Sequence, residues 1–185
     1  MRAAITVDLE NDWGGRADTC AGIEVWLRHI IEILKKFGAG ATFFVSGKVV
    51  AANKKILSEV ADAGHEIASH GFNHIDYSRL SAGALEEEVH RASKVLEDEV
   101  GIKPLGFRCP RFHINEKLYD ILQSAGFIYD SSVVKKCEPF LEGKILEIPV
   151  SSFAGIPFGL RWVNLLGFKT YKFLMRTQPA ITVFY

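Results

Sequence analysis

Three acidic residues lie close together near the start of the chain, Asp8, Glu10 and Asp12, and two histidines, His70 and His74, lie four positions apart in "EIASHGFNH". Imidazole and carboxylate groups are the donors a borderline divalent ion takes. Two histidines and one carboxylate leave positions open for water and substrate. On a helical segment the HxxxH spacing would put both imidazoles on one face, within reach of one ion. The pair alone is weak evidence, because unrelated histidines reach that spacing easily. A carboxylate from Asp8, Glu10 or Asp12 would complete the set, so the metal reading depends on whether the fold brings these segments together. Arg108 in "GFRCPRF" and Asp130 in "YDSSV" also follow short apolar runs.

The elements that must position these residues are readable from periodicity. "AAITV" (3–7), "ATFFV" (41–45), "EIAS" (66–69), "PLGF" (104–107), "FIY" (127–129) and "ILEIPV" (145–150) predict six strands, and "AITVFY" (180–185) a last one. Helical stripes fall between them. One runs over 23–37 and closes at Gly38, "KKILSEVADAG" stops at Gly64, a long one starts from an N-cap at Ser81, and "EKLYDILQSAG" lies behind Asn115. A further helix is predicted around 168–176. Strand–helix alternation implies a parallel sheet covered by helices. Six or seven units predict an α/β fold, a closed or nearly closed barrel related to the (β/α)₈ type. An open doubly wound sheet is the alternative. In either fold the loops beyond the strands' carboxyl ends share one rim. Asp8, Glu10 and Asp12 follow the first strand, His70 and His74 the third, Arg108 the fourth and Asp130 the fifth. Four separate segments should therefore converge.

The remaining candidates read as structural. His29 and His90 lie within helices, His65 starts the third strand at the far end from the rim, and His113 suits a turn. "LEEEVHR" reads as a solvated helix face and Trp26 as part of a buried stripe, while Trp13 and Trp162 could line a groove or pack at an edge. Residues 1–185 fit a single domain, able to bury roughly 70% of its unfolded surface. Twenty-two basic residues balance twenty-two acidic ones without a basic block, which argues against a nucleic-acid surface. Cys20, Cys109 and Cys137 fit neither a disulfide framework nor a CxxC site and suit a reducing compartment. No run approaches the ~18 apolar residues of a membrane span. The start lacks a signal-peptide core, so a cytoplasmic location is expected. Oligomeric state is not legible.

The four motifs "TVDLEND", "SHGFNH", "GFRCPRF" and "YDSSV", in this order and spacing, resemble the NodB-homology polysaccharide deacetylases of carbohydrate esterase family 4. "EIPVS" (147–151) strengthens the likeness to the bacterial and archaeal branch. The resemblance implies a distorted (β/α) barrel of about seven parallel strands, incomplete at its C-terminal end in this chain, and a hydrolase that removes N-acetyl groups from amino-sugar polymers or oligomers. Relatives act on other amides, allantoin included, and a carbohydrate-binding remnant without turnover is a further reading. It implies a divalent metal, zinc first, with cobalt, nickel or manganese as alternatives. Asp8 would be the general base, and Glu10, His70 and His74 the metal ligands, with Asp12 as substitute for Glu10. Arg108 would hold Asp8 ionised, and Asp130 would brace Arg108 and the family's catalytic histidine. Pro110 and Arg111 would meet substrate, the Arg111 N–H facing the oxyanion. Two positions depart from the family: Val134 replaces a common tryptophan, and Arg111 a tyrosine, glycine or serine. The family's acid histidine lies just beyond the last strand, where this chain reaches Tyr185, so a longer protein carrying that motif is expected.

Overall fold

The computed structural model describes residues 2–12, 19–153, 156–157 and 181–184, with positions 165, 167, 169, 170 and 173. Ten strands are described: β1 (Arg2–Leu9), β2 (Ala41–Val45), β3 (Glu66–Ser69), β4 (Gly106–Phe107), β5 (Tyr129–Asp130), β6 (Phe140–Glu142), β7 (Ile145–Glu147), β8 (Ser152–Phe153), β9 (Ile156–Pro157) and β10 (Ile181–Phe184). The helices are α1 (Ala21–Lys36), α2 (Gly47–Asp62), α3 (Ala82–Val100) and α4 (Leu118–Ser124). The main sheet runs β10-β1-β2-β3-β4-β5-β7-β6. Every neighbour pair is parallel except β6 on β7, which leaves the seven parallel strands expected. The last strand returns to pair with the first and the order never reverses, so the sheet is barrel-like rather than doubly wound. Among the described residues no pairing joins β10 to β7 or β6, so the barrel is not closed.

Sequence chemistry explains the helices. The Ser81 hydroxyl accepts from the Ala84 N–H at 3.4 Å, and α3 stops at Gly101, whose φ of 75° is the left-handed conformation that ends helices. At α1 the cap comes from outside: Asp12 accepts from the Ala21 and Gly22 N–H groups at 2.9 and 3.0 Å. Two apolar clusters hold the layers together. Leu27 and Leu34 of α1 and Val49, Leu57 and Val60 of α2 pack on Phe43, Val45 and Ile67. Leu85 and Val89 of α3 and Leu118 and Leu122 of α4 meet Phe107, Phe127 and Ile145. Each such side chain contributes about 1.5–3 kcal/mol of burial.

Several expectations shift. The strand expected over 104–107 keeps only Gly106–Phe107, since Pro104 has no N–H to give a ladder. The 127–129 strand moves to Tyr129–Asp130, and that over 145–150 shortens to Ile145–Glu147 ahead of Pro149, Val150 keeping one bridge to Val134. Trp26 is corrected: it is 62% exposed, because Ile23, Leu27 and Leu34 define α1's inward face and Trp26 sits about 100° from Leu27. The hairpins β6–β7 and β8–β9 were not predicted. Positions 169, 170 and 173 of the helix expected around 168–176 are helical, whereas Trp13 and Trp162 lie outside the described residues. Asn115 does not cap α4 directly. Its amide bridges to the Tyr77 and Leu80 carbonyls, and its Oδ1 accepts from the Lys117 N–H one turn early.

Candidate active site

Register alone aligns the rim. Leu9 pairs with Val45, Val45 with Ser69, Ser69 with Phe107, Phe107 with Asp130, and Asp130 with Glu147. The residue after each of these continues the ladder: the His70 N–H reaches the Val45 carbonyl at 3.0 Å and the Arg108 N–H the Ser69 carbonyl at 2.9 Å. On β1, Thr6, Asp8 and Glu10 share one face by the two-residue period of a strand. Asp8 thus belongs to β1 itself rather than to the loop after it.

Arg108 is fully buried, and its guanidinium reaches across to that face. One nitrogen donates to Asp8 Oδ1 at 2.8 Å and to the Thr6 hydroxyl at 2.9 Å. The others donate to the Ser131 carbonyl and hydroxyl, each at 3.0 Å, and the group lies 4.0 Å from the Phe44 ring centre. A buried charge held this way is stabilising only as a pair, and losing one partner costs about 3–5 kcal/mol. Ser131 thus braces Arg108 through both its carbonyl and its hydroxyl. Asp130 turns one oxygen to the Ser132 hydroxyl at 2.7 Å, and that hydroxyl in turn accepts from the Cys109 N–H.

His70 and His74 approach the same end of β1. His70 Nδ1 lies 2.8 Å from the Arg108 carbonyl, so it carries the proton and leaves Nε2 as a lone pair. That Nε2 is buried without a hydrogen-bond partner, 3.5 Å from Asp8 Oδ2 and 3.9 Å from Glu10 Oε2. His74 Nε2 is in close contact with Glu10 Oε2. The ligand atoms of Glu10, His70 and His74 lie within 4.8 Å of one another, the one such group among the described residues. Burial pushes the His70 pKa down, the Asp8 charge opposing it, so the ring is the neutral donor a metal needs. An orphaned imidazole lone pair beside a second imidazole and a carboxylate fits a divalent ion of zinc's type. Asp12, engaged at the start of α1, lies outside this group.

The HxxxH segment is not helical. It is a turn, with Gly71 at φ 68° and His74 at φ 52°. Pro110 is buried at the rim and Arg111 exposed beside it, with Arg111 and Phe112 both at positive φ. His113 pairs with Asp76 at 3.1 Å, His90 with Glu86 at 3.8 Å, and His29 Nδ1 bonds the Val25 carbonyl at 3.0 Å. His65 packs against Phe43 at the start of β3.

Two acidic residues escaped the sequence reading. Glu147 is fully buried, in register with Asp130, and accepts from the Val133 N–H at 2.9 Å and the Tyr119 hydroxyl at 3.2 Å. Burial first, then the charge of Asp130, pushes its carboxyl up to about 10. Asp130 Oδ2, buried without a hydrogen-bond partner among the described residues, is the acceptor a protonated Glu147 can serve. The signal was its inward phase: Glu147 alternates with buried Ile145. Glu88, assigned to a solvated face within "LEEEVHR", is corrected. It is 8% exposed and accepts from Asn73 and Tyr77, whereas Glu86 and Glu87 are exposed. Its signal was helical phase, three after Leu85 and four before Ala92.

Residues 12–129 match the family model for polysaccharide deacetylase. The chain belongs to the polysaccharide deacetylase family. This deacetylase-family chain is 34% identical over 98 residues to a peptidoglycan-N-acetylglucosamine deacetylase of Bacillus cereus, covering 53% of itself and 46% of that protein. Among solved structures it superposes on PuuE allantoinase with a TM-score of 0.75 at 19% identity, covering 99% of this chain and 75% of that one. A CE4-family pseudoenzyme from Bacillus anthracis gives 0.60 at 18% identity, covering 99% and 63%. At these identities the structural likenesses establish the fold alone. The chain spans less than half the length of the curated relatives it matches. No helix among the described residues is long and apolar enough to cross a membrane.

Proposed function

We propose that this chain is the catalytic part of a metal-dependent deacetylase that hydrolyses the N-acetyl amide of an amino-sugar polymer or oligomer. The observation that carries the reading is the junction of two sites at Asp8. One carboxylate oxygen is held by buried Arg108, and the other faces the Glu10–His70–His74 group. Glu10, His70 and His74 would hold a divalent ion, zinc first and cobalt, nickel or manganese next. That ion would polarise the amide carbonyl and lower the pKa of water.

Asp8 would then serve as the general base. Its Oδ1 is committed to Arg108, which fixes the direction of the carboxylate. Its Oδ2 is left to take the proton of the attacking water. Pro110 and Arg111 would border the acyl group, with the Arg111 N–H as oxyanion donor. The departing amine needs a proton, a contribution typically worth ~10²–10⁴-fold. The family's acid histidine, braced by Asp130, would supply it.

The test is a loaded protein offered several amides. Protein reconstituted with zinc or cobalt should bind one equivalent and release acetate from chito-oligosaccharides or peptidoglycan fragments, with Asp8→Asn lowering kcat by ~10²-fold or more. Turnover of allantoin alone would move the reading to small amides. Bound metal and bound sugar without acetate release, from the longest natural form of the protein, would reject hydrolysis.

A further inference from the structure

The two histidines are held differently. His70 has its own lock, the bond from Nδ1 to the Arg108 carbonyl at 2.8 Å. His74 has no such lock: its Nε2 meets Glu10, but its Nδ1 is buried without a hydrogen-bond partner, so behind the ring only the backbone sets its place. That backbone sits at φ 52°, uncommon for a residue with a Cβ, and such conformations persist only where the surroundings over-determine them.

The surroundings do so from two sides. At the start of α2, the Gly47 N–H donates to the Gly71 carbonyl at 2.8 Å, and the Ser46 hydroxyl and Lys48 N–H donate to the Phe72 carbonyl at 2.9 and 3.1 Å. From α3, the Glu88 carboxylate accepts from the Asn73 N–H at 2.9 Å, from the Asn73 side-chain amide, and from the Tyr77 hydroxyl at 3.2 Å. One helical turn on, Arg91 lies 3.7 Å from the centre of the Phe72 ring. Three donors converge on one carboxylate, two on one oxygen and one on the other, so both oxygens hold the turn. The amide Glu88 grips most closely belongs to the residue directly before His74.

We infer that Glu88 is a positioning residue of the metal centre, one that sets the His74 ring through Asn73 without touching the ion. This rests on the metal reading above. A glutamine at 88 offers one good acceptor and turns its own NH2 towards a donor, so the turn should relax. Supporting partners one step from the ligands typically matter by 10–100-fold in metal affinity.

The experiment titrates cobalt(II) alone into wild type, Glu88→Gln, Asn73→Ala and the double variant, well below their melting temperatures, following calorimetry and the visible d–d absorption. Glu88→Gln should weaken cobalt binding by about 10–100-fold and alter the absorption band. Asn73→Ala should weaken it less, and the double variant should add little to Glu88→Gln because the two act through one contact. A merely structural role would lower melting temperature and leave the affinity and band of the folded protein unchanged. That result in Glu88→Gln overturns the inference. Should Glu88→Gln fail to fold, an unchanged affinity in Asn73→Ala overturns it equally. Wild type that takes up no stoichiometric cobalt would instead remove the metal reading itself.

Discussion

At the level of single residues, Asp130 and Glu147 face each other across β5 and β7 with no exposed surface on either. Burial pushes both carboxyls up. At Asp130 the Glu147 proton, the Ser132 hydroxyl and the Arg108 charge oppose the rise, so Glu147 is the partner that keeps the proton. Between its ordinary 4.5 and about 10, folded Glu147 holds a proton that the unfolded chain has released. The unfolded state then binds fewer protons, so stability falls as pH rises through that window. The contribution is complete below the ordinary value and lost as pH approaches the raised one. Glu147→Gln keeps a neutral group of similar shape and should remove this slope, at most about 1.4 kcal/mol per pH unit. Urea unfolding at about pH 5.5, 7 and 8.5 should show the variant gaining on wild type as pH rises. Parallel curves would mean that Glu147 ionises at its ordinary pKa.

At the level of elements, the start of α2 and the histidine turn are built against each other. Gly47 lets the helix backbone approach so closely that a Cβ there would overlap the Phe72 ring, over which Arg91 lies at 3.7 Å. Alanine ordinarily favours a helix by about 0.5–1 kcal/mol over glycine. Overpacking costs about 1–3 kcal/mol, so Gly47→Ala should be a net loss of stability. Amide exchange at Asn73 and His74 should quicken with it. A more stable variant with unchanged exchange would show the ring free to move aside.

For the whole molecule, the candidate metal site would tie the end of β1 to the turn after β3, while among the described residues no pairing joins β10 to β7 or β6. An ion bound only by the folded form adds about 2.7 kcal/mol at a hundredfold excess over Kd. For a domain of this size that corresponds to a rise in Tm of roughly 5–11 °C. Calorimetric melts with zinc and with a chelator should differ by that much, and His70→Ala should erase the difference. Coincident melts of the wild type would exclude stoichiometric binding.

Asp8, His70, His74, Arg108 and Asp130 were legible because each ends or follows an apolar run, and chain order in a parallel fold sends all such positions to one rim. The strands and helices were legible from their periods, apart from the edges where Pro104 and Pro149 cut the ladders short. The choice of Glu10 over Asp12 was open in the sequence, since both lie beyond the first strand. In the fold α1 draws Asp12 to its first N–H groups, and the two-residue period keeps Glu10 on the side of Asp8 and His70. Ser131 as the brace of Arg108, Glu147 beside Asp130 and Glu88 beneath the histidine turn depended on contacts between distant segments. Local periodicity is written in neighbouring residues and can be read there. Which polar group meets which across the barrel is set by strand register and helix rotation, and those exist only once the chain has folded.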